Sequence, residues 1–181
     1  MLERPLLIVG DSLVQGRNAT GLHGWAQMAA EAHRGVEIIG AGGLRLRGLR
    51  RRLQPEVLEG LQCLVIAVGI NDSREQAPET FAAVLREILG LVPASVRRRA
   101  VVGLTSVDES SPFVRAKGFA NADIARHDEV LRAEAARAGF DVVDVPDLAA
   151  DPANLDDGIH PSDRGHALLH AAVSAWFERD S

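Results

Sequence analysis

The stretch that decides the fold is Pro5-Leu6-Leu7-Ile8-Val9-Gly10-Asp11-Ser12-Leu13. An unbroken apolar run rich in Leu, Ile and Val reads as a strand buried on both faces, because a strand with one wet face alternates apolar with polar residues. The run stops at a glycine, an aspartate and a serine. Gly10 permits a tight turn, and Asp11 can accept hydrogen bonds from the backbone N–H groups that follow it. Ser12 therefore stands where a buried strand hands over to a helix. Read alone, it is an N-cap serine; its neighbours elsewhere in the chain give it another role.

Working outward, four more runs of the same kind appear: Val36–Ile39, Cys63–Val68, Ala100–Leu104 and Asp141–Val145. Amphipathic segments separate them. Trp25–His33 reads as a short helix with Trp25 anchored in the core, and Arg45–Leu58 as a helix open to a break at Pro55. Pro78–Val92 repeats apolar residues at Phe81, Val84, Leu85, Ile88 and Leu89. Ala122–Ala138 stops at Gly139, a good C-cap, and Ser162–Arg179 begins after Pro161. Strands alternating with helices imply right-handed crossovers, a parallel sheet and helices on both of its faces. The segment Thr105–Asn121 reads as a long loop or lid able to wall a pocket, with Phe113 and Phe119 as its two large apolar anchors.

Length and composition are those of one domain, residues 1–181. The chain has 181 residues, 46% hydrophobic and 25% charged, with a net charge of −5. These values argue against a general nucleic-acid or membrane binder. No apolar run approaches a membrane span. Residues 1–4 are too few for a secretion signal before the first strand, and the single Cys63 rules out an internal disulfide. A cytoplasmic location is the expectation, with Cys63 as a buried structural thiol. The basic runs Arg45–Arg52 and Arg97-Arg98-Arg99 read as solvated faces, although Arg45 or Arg47 could meet an anionic substrate.

Two later motifs complete the chemistry around Ser12. Asp157-Gly158-Ile159-His160 supplies a carboxylate and an imidazole three residues apart, with Asp156 adjacent. In a turn the carboxylate can bend back to Nδ1–H of the histidine, leaving Nε2 to accept a serine proton. Gly69-Ile70-Asn71-Asp72 follows an apolar run, and an asparagine there can donate to a developing oxyanion. Asp72 is expected to organise the loop. Ser12, Gly42-Gly43, Asn71 and His160 each follow the carboxyl end of an expected strand, the edge at which open α/β sheets place their sites. His166 and His170 stand four apart like a metal pair, but no H-E-x-x-H accompanies them, and a solvated or packed helix face is expected. The run Gly40-Ala41-Gly42-Gly43-Leu44-Arg45 nearly spells a dinucleotide fingerprint and fails because Arg45 occupies the third glycine position.

Gly10-Asp11-Ser12-Leu13, Gly69-x-Asn71-Asp72 and Asp157-x-x-His160, in that order, resemble the blocks of the SGNH (GDSL-type) esterase/lipase superfamily, from residue 6 to about residue 177. The resemblance implies a three-layer α/β/α fold with flavodoxin-like strand order 2-1-3-4-5. It implies Ser12 as nucleophile, His160 as general base and then acid, and Asp157, selected over Asp156 by the family spacing, as the residue that orients His160. The oxyanion donors would be the Ser12 N–H, a glycine N–H and the Asn71 side chain. The family's usual asparagine before that glycine is replaced here by Gly40, and spacing to the next helix favours Gly43, with Gly42 as the alternative. The implied reaction is hydrolysis of a small ester, short-acyl or acetyl, through an acyl-enzyme, without metal or organic cofactor. An acyltransferase using the same triad and a non-enzymatic flavodoxin-like nucleotide-binding module are the alternatives.

Overall fold

The computed structural model describes residues 6–17 and 24–179. Five strands form one parallel sheet: β1 Leu6–Gly10, β2 Val36–Gly40, β3 Cys63–Ala67, β4 Arg98–Val102 and β5 Asp141–Val143, in the order β2-β1-β3-β4-β5. The helices are α1 Ser12–Gln15, α2 Trp25–Ala32, α3 Leu46–Arg52, α4 Pro55–Leu58, α5 Pro78–Leu91, α6 Pro112–Lys117, α7 Asn121–Ala138 and α8 Asp163–Glu178. Two short 3₁₀ turns, Leu148–Ala150 and Pro152–Asn154, lead toward α8.

The alternation of side chains along the strands divides the apolar residues between two cores. Leu7, Val9, Leu64, Ile66 and Val101 face α3, α5 and α7, packing on Leu49, Phe81, Leu85, Ile88 and Leu131. Leu6, Ile8, Cys63, Val65 and Ala100 face the other way, against Trp25 and Ala29 of α2 and Leu169, Val173, Trp176 and Phe177 of α8. Both faces of the sheet are thus dry, which is why the strands read as continuous apolar runs and yield three layers. Each such large side chain contributes about 1.5–3 kcal/mol by leaving water. Cys63 lies in the second core, where burial pushes its thiol up to about 12.

Three sequence expectations are corrected. β4 starts at Arg98 instead of Ala100, because the basic run is sheathed at this edge. The Arg98 guanidinium lies 4.7 Å from the Trp176 ring centroid and donates to the carbonyls of Trp176 and Phe177, while Arg99 lies over Phe140. Arg98 and Arg99 are therefore half-buried and do not form a solvated face. The segment read as a loop over 105–121 contains α6, capped by Ser111, opened by Pro112 and closed by Gly118 in the left-handed conformation. The last helix starts at Asp163, with Ser162 as its N-cap: the Ser162 hydroxyl accepts from Gly165 N–H and donates to the Ala153 carbonyl. The break expected at Pro55 is present between α3 and α4. No helix among the described residues is long and apolar enough to cross a membrane.

Candidate active site

Ser12 is the first residue of α1, directly beyond the carboxyl end of β1. A glycine must precede this turn: a Cβ on Gly10 would stand 2.2 Å from Val14 Cγ2 and 2.5 Å from the Ala67 carbonyl oxygen. Asp11 caps the helix, its Oδ1 accepting from Leu13 N–H at 3.0 Å. The Ser12 side chain is nearly buried at 5% exposure, and its hydroxyl meets His160 Nε2 at 3.1 Å.

The His160 ring is held by its own turn. Asp157 Oδ1 accepts from the backbone N–H of Ile159 (3.0 Å) and of His160 (2.9 Å), and Oδ2 accepts from His160 Nδ1–H at 2.7 Å. A carboxylate acceptor at Nδ1 puts the ring proton there and leaves the Nε2 lone pair facing Ser12. Burial alone would raise Asp157, but the hydrogen bonds from His160 and Ile159 outweigh it and hold the carboxyl below its usual range. The turn is braced from outside. Ser111 Oγ–H donates to the Asp157 carbonyl at 2.6 Å, and Asp108 N–H donates to the Gly158 carbonyl at 2.8 Å. The segment leading into α6 thus positions the histidine turn.

Asn71 and Gly43 approach Ser12 from two other strand ends. The turn Ala41-Gly42-Gly43-Leu44 closes by Leu44 N–H donating to the Ala41 carbonyl, with Gly43 at φ +69°, a conformation that favours glycine. Gly43 lines the pocket over Ser12, whereas Gly42 borders a separate cleft beside α3. The Asn71 amide lines the same pocket and is already engaged. Its Nδ2 donates to Asp11 Oδ2 at 3.2 Å and to the Leu44 carbonyl at 3.3 Å. Asp72 organises the loop, accepting from Leu46 N–H through both oxygens at 3.2 Å and from the Gln76 amide. Burial pushes Asp11 up to about 7, the Asp72 charge adding to the effect, and pushes Asp72 up to about 6.

The pocket over Ser12 has a volume of about 150 Å³. Ile70, Ile159, Phe113 and Phe119 give it apolar walls, and Arg17, Arg74 and Lys117 bring charge to it. Phe113 and Lys117 come from α6; Phe113 was expected as an apolar anchor of this segment, and Lys117 carries no motif that marks it. The arrangement is a hydroxyl within reach of a base, with that base oriented by a carboxylate, facing a small pocket. This is the constellation that activates a hydroxyl for attack on a carbonyl. His166 is fully buried, accepting from Trp25 N–H at 3.4 Å with its other ring nitrogen 3.4 Å from the Arg17 carbonyl; the His170 ring meets Ser174 Oγ.

The chain is similar to the solved structure of an α/β hydrolase from the metagenome of Lake Arreo, Spain, at 23% identity, 96% and 94% coverage of the two chains and a TM-score of 0.74. It is similar to a lipase/acylhydrolase from Enterococcus faecalis (21% identity, 96% and 95% coverage, TM-score 0.75). A catalytic mutant of an acetylxylan esterase from Geobacillus stearothermophilus matches at 20% identity, 97% and 94% coverage and a TM-score of 0.74. These likenesses show the fold. No curated protein gives a significant match. The family profile of GDSL-like lipases and acylhydrolases matches residues 8–168, nearly the whole chain, and the protein belongs to the GDSL-like lipase/acylhydrolase family.

Proposed function

We propose that the protein is a serine ester hydrolase acting on a small acyl ester through an acyl-enzyme. Ser12 is the nucleophile. His160 takes the hydroxyl proton as Oγ attacks the carbonyl carbon and returns it to the leaving alcohol. Asp157 holds the imidazole in the tautomer this requires and offsets the charge of the imidazolium. In the second half, His160 removes a proton from water as it attacks the acyl-Ser12 ester. The carbonyl oxygen, negative in the tetrahedral intermediate, accepts from the Ser12 and Gly43 N–H groups and from the Asn71 amide, which gives up one of its two long contacts to do so.

The observation that carries this reading is the unbroken hydrogen-bonded path Ser12 Oγ–His160 Nε2 (3.1 Å) and His160 Nδ1–Asp157 Oδ2 (2.7 Å), assembled from residues 148 and 3 positions apart. The pocket of about 150 Å³ favours a short acyl group. A ladder of 4-nitrophenyl esters from acetate to dodecanoate, run beside Ser12→Ala, is the test. The expected outcome is highest kcat/KM at acetyl or butyryl and no enzymatic turnover in the variant. A maximum at dodecanoyl would remove the short-acyl assignment, and turnover by Ser12→Ala would remove the nucleophile.

A further inference from the structure

The pocket over Ser12 is lined by Arg17, Arg74 and Lys117, and among the described residues no aspartate or glutamate lines it. This is a local excess of positive charge on a chain whose net charge is −5. We propose that the ester taken by this site carries an anionic group close to its scissile carbonyl, and that these three cations select it. The inference rests on the reading of Ser12 as nucleophile.

Arg74 carries the argument furthest. Its side chain is only 19% exposed, with the guanidinium 4.7 Å from the Phe119 ring centroid and one nitrogen donating to the Lys117 carbonyl at 3.0 Å. Its nearest carboxylate, Glu75, stands 3.5 Å away. Both Glu75 oxygens are already gripped in bidentate fashion by Arg45. One carboxylate is thus divided between two guanidinium groups, and Arg74 holds the longer and weaker share of it. The buried Nε–H of Arg74 also finds no acceptor among the described residues. A half-buried cation with an unused donor, stacked on an aromatic ring, is costly in an empty pocket and favourable beside an anion.

The other two cations frame the same space. Lys117 ends α6, and its ammonium lies 5.5 Å from the centroid of Phe113, whose ring is in turn 6.1 Å from that of His160. Arg17 follows α1, and its carbonyl is tied to His166. Among the described residues neither Lys117 nor Arg17 pairs with a carboxylate. Apolar walls at Ile70 and Phe113 lower the local dielectric and focus this field into the cleft, which would concentrate an anionic substrate against the repulsion of the protein's net charge. A neutral ester would leave Lys117 and Arg17 without a counter-charge and Arg74 with only a share of Glu75.

The test compares matched esters. Monoethyl glutarate against ethyl pentanoate places the charge on the acyl side, and 4-acetoxybenzoate against its methyl ester places it on the alcohol side. Acid release is followed in a pH-stat for wild type, Lys117→Gln and Arg17→Gln. In at least one pair the anionic member is expected to show about tenfold higher kcat/KM at low ionic strength. That ratio is expected to shrink in about 0.5 M NaCl, where charges are screened within a few ångströms, and to fall at least about threefold in each variant, as expected for loss of one partly exposed charge pair. Equal kcat/KM within both pairs, or a ratio that neither substitution moves, would overturn the proposal. The same esters are titrated into Ser12→Ala by calorimetry. If wild type hydrolyses none of them, the nucleophile assignment fails, and the titration still decides the anion site. Tighter binding of the anionic member sustains it, and equal binding ends it.

Discussion

Two carboxylates flank Ser12, and their fates are opposite. Asp11 precedes it in the chain, lies fully buried, and is pushed up to about 7 because burial outweighs the hydrogen bonds from Leu13 and Asn71. Asp157 reaches Ser12 only through His160, is about a quarter exposed, and is held below the usual carboxylate range by two backbone N–H groups and the imidazole. Charge at a site is therefore set by how many donors the backbone supplies against how much water it removes, and not by residue type or by proximity in sequence. The turn at 157–160 builds an anion that can hold an imidazolium. The turn at 10–13 builds a carboxyl that holds its proton more tightly than usual and that accepts from the Asn71 amide.

This contrast can be broken by exchanging each carboxylate for its amide. Asp157→Asn is expected to lower kcat by about 10⁴, because an amide can present N–H to Nδ1 and reverse the tautomer. A loss of tenfold or less, measured on folded protein, would show that Asp157 does not orient the base. Asn71→Ala is next. Removal of one oxyanion donor costs about 10²–10³ in kcat with little change in KM. Wild-type kcat together with a lowered thermal midpoint would make Asn71 a turn residue only. Asp11→Asn follows, as a positioning residue that acts through Asn71. Its loss in kcat is expected not to exceed that of Asn71→Ala, and the double variant to be no slower than Asn71→Ala alone. Additive losses would give Asp11 a separate role.

The smallest effect concerns stability against pH. Asp11, about 7 in the fold against 3.8 as an unperturbed side chain, keeps its proton longer when folded. Its contribution is therefore complete below about pH 4 and is lost as pH rises toward about 7, with Asp72 acting in the same direction up to about 6. Asp157, held low, contributes stability above its unfolded value that is lost as pH falls through its folded one. The drop in thermal midpoint between pH 5 and pH 8 is expected to be smaller in Asp11→Asn than in wild type, at about 2–4 °C for each kcal/mol in a chain of this size. An unchanged drop would mean that Asp11 is not the group being ionised.

The layers were legible because the central strands β1 and β3 are buried on both faces, so Leu6–Val9 and Cys63–Val68 stand out as apolar runs, whereas the strand order came from the family resemblance that the motifs carry. Ser12, Gly43, Asn71, Asp157 and His160 converge because each follows a strand end, and their motifs mark the turns that hold them. What escaped the sequence had no periodicity to show it. α6 is six residues long, too short to display an apolar stripe, although Ser111-Pro112 and Gly118 are ordinary helix start and stop signals. With α6 went the contributions of Lys117 and Ser111. The contact of Asp11 with Asn71 spans 60 residues and joins two motifs whose local readings are complete without it. Arg98 reads as solvated until Trp176, 78 residues later, covers it.

The most direct test of the central claim is labelling by an alkyl fluorophosphonate followed by peptide mass spectrometry, on wild type and on His160→Ala. The account predicts one phosphonyl adduct per chain, on Ser12, formed rapidly in wild type and at a rate lower by several orders of magnitude in the variant. An adduct on another serine, or equal labelling rates in the two proteins, would contradict it.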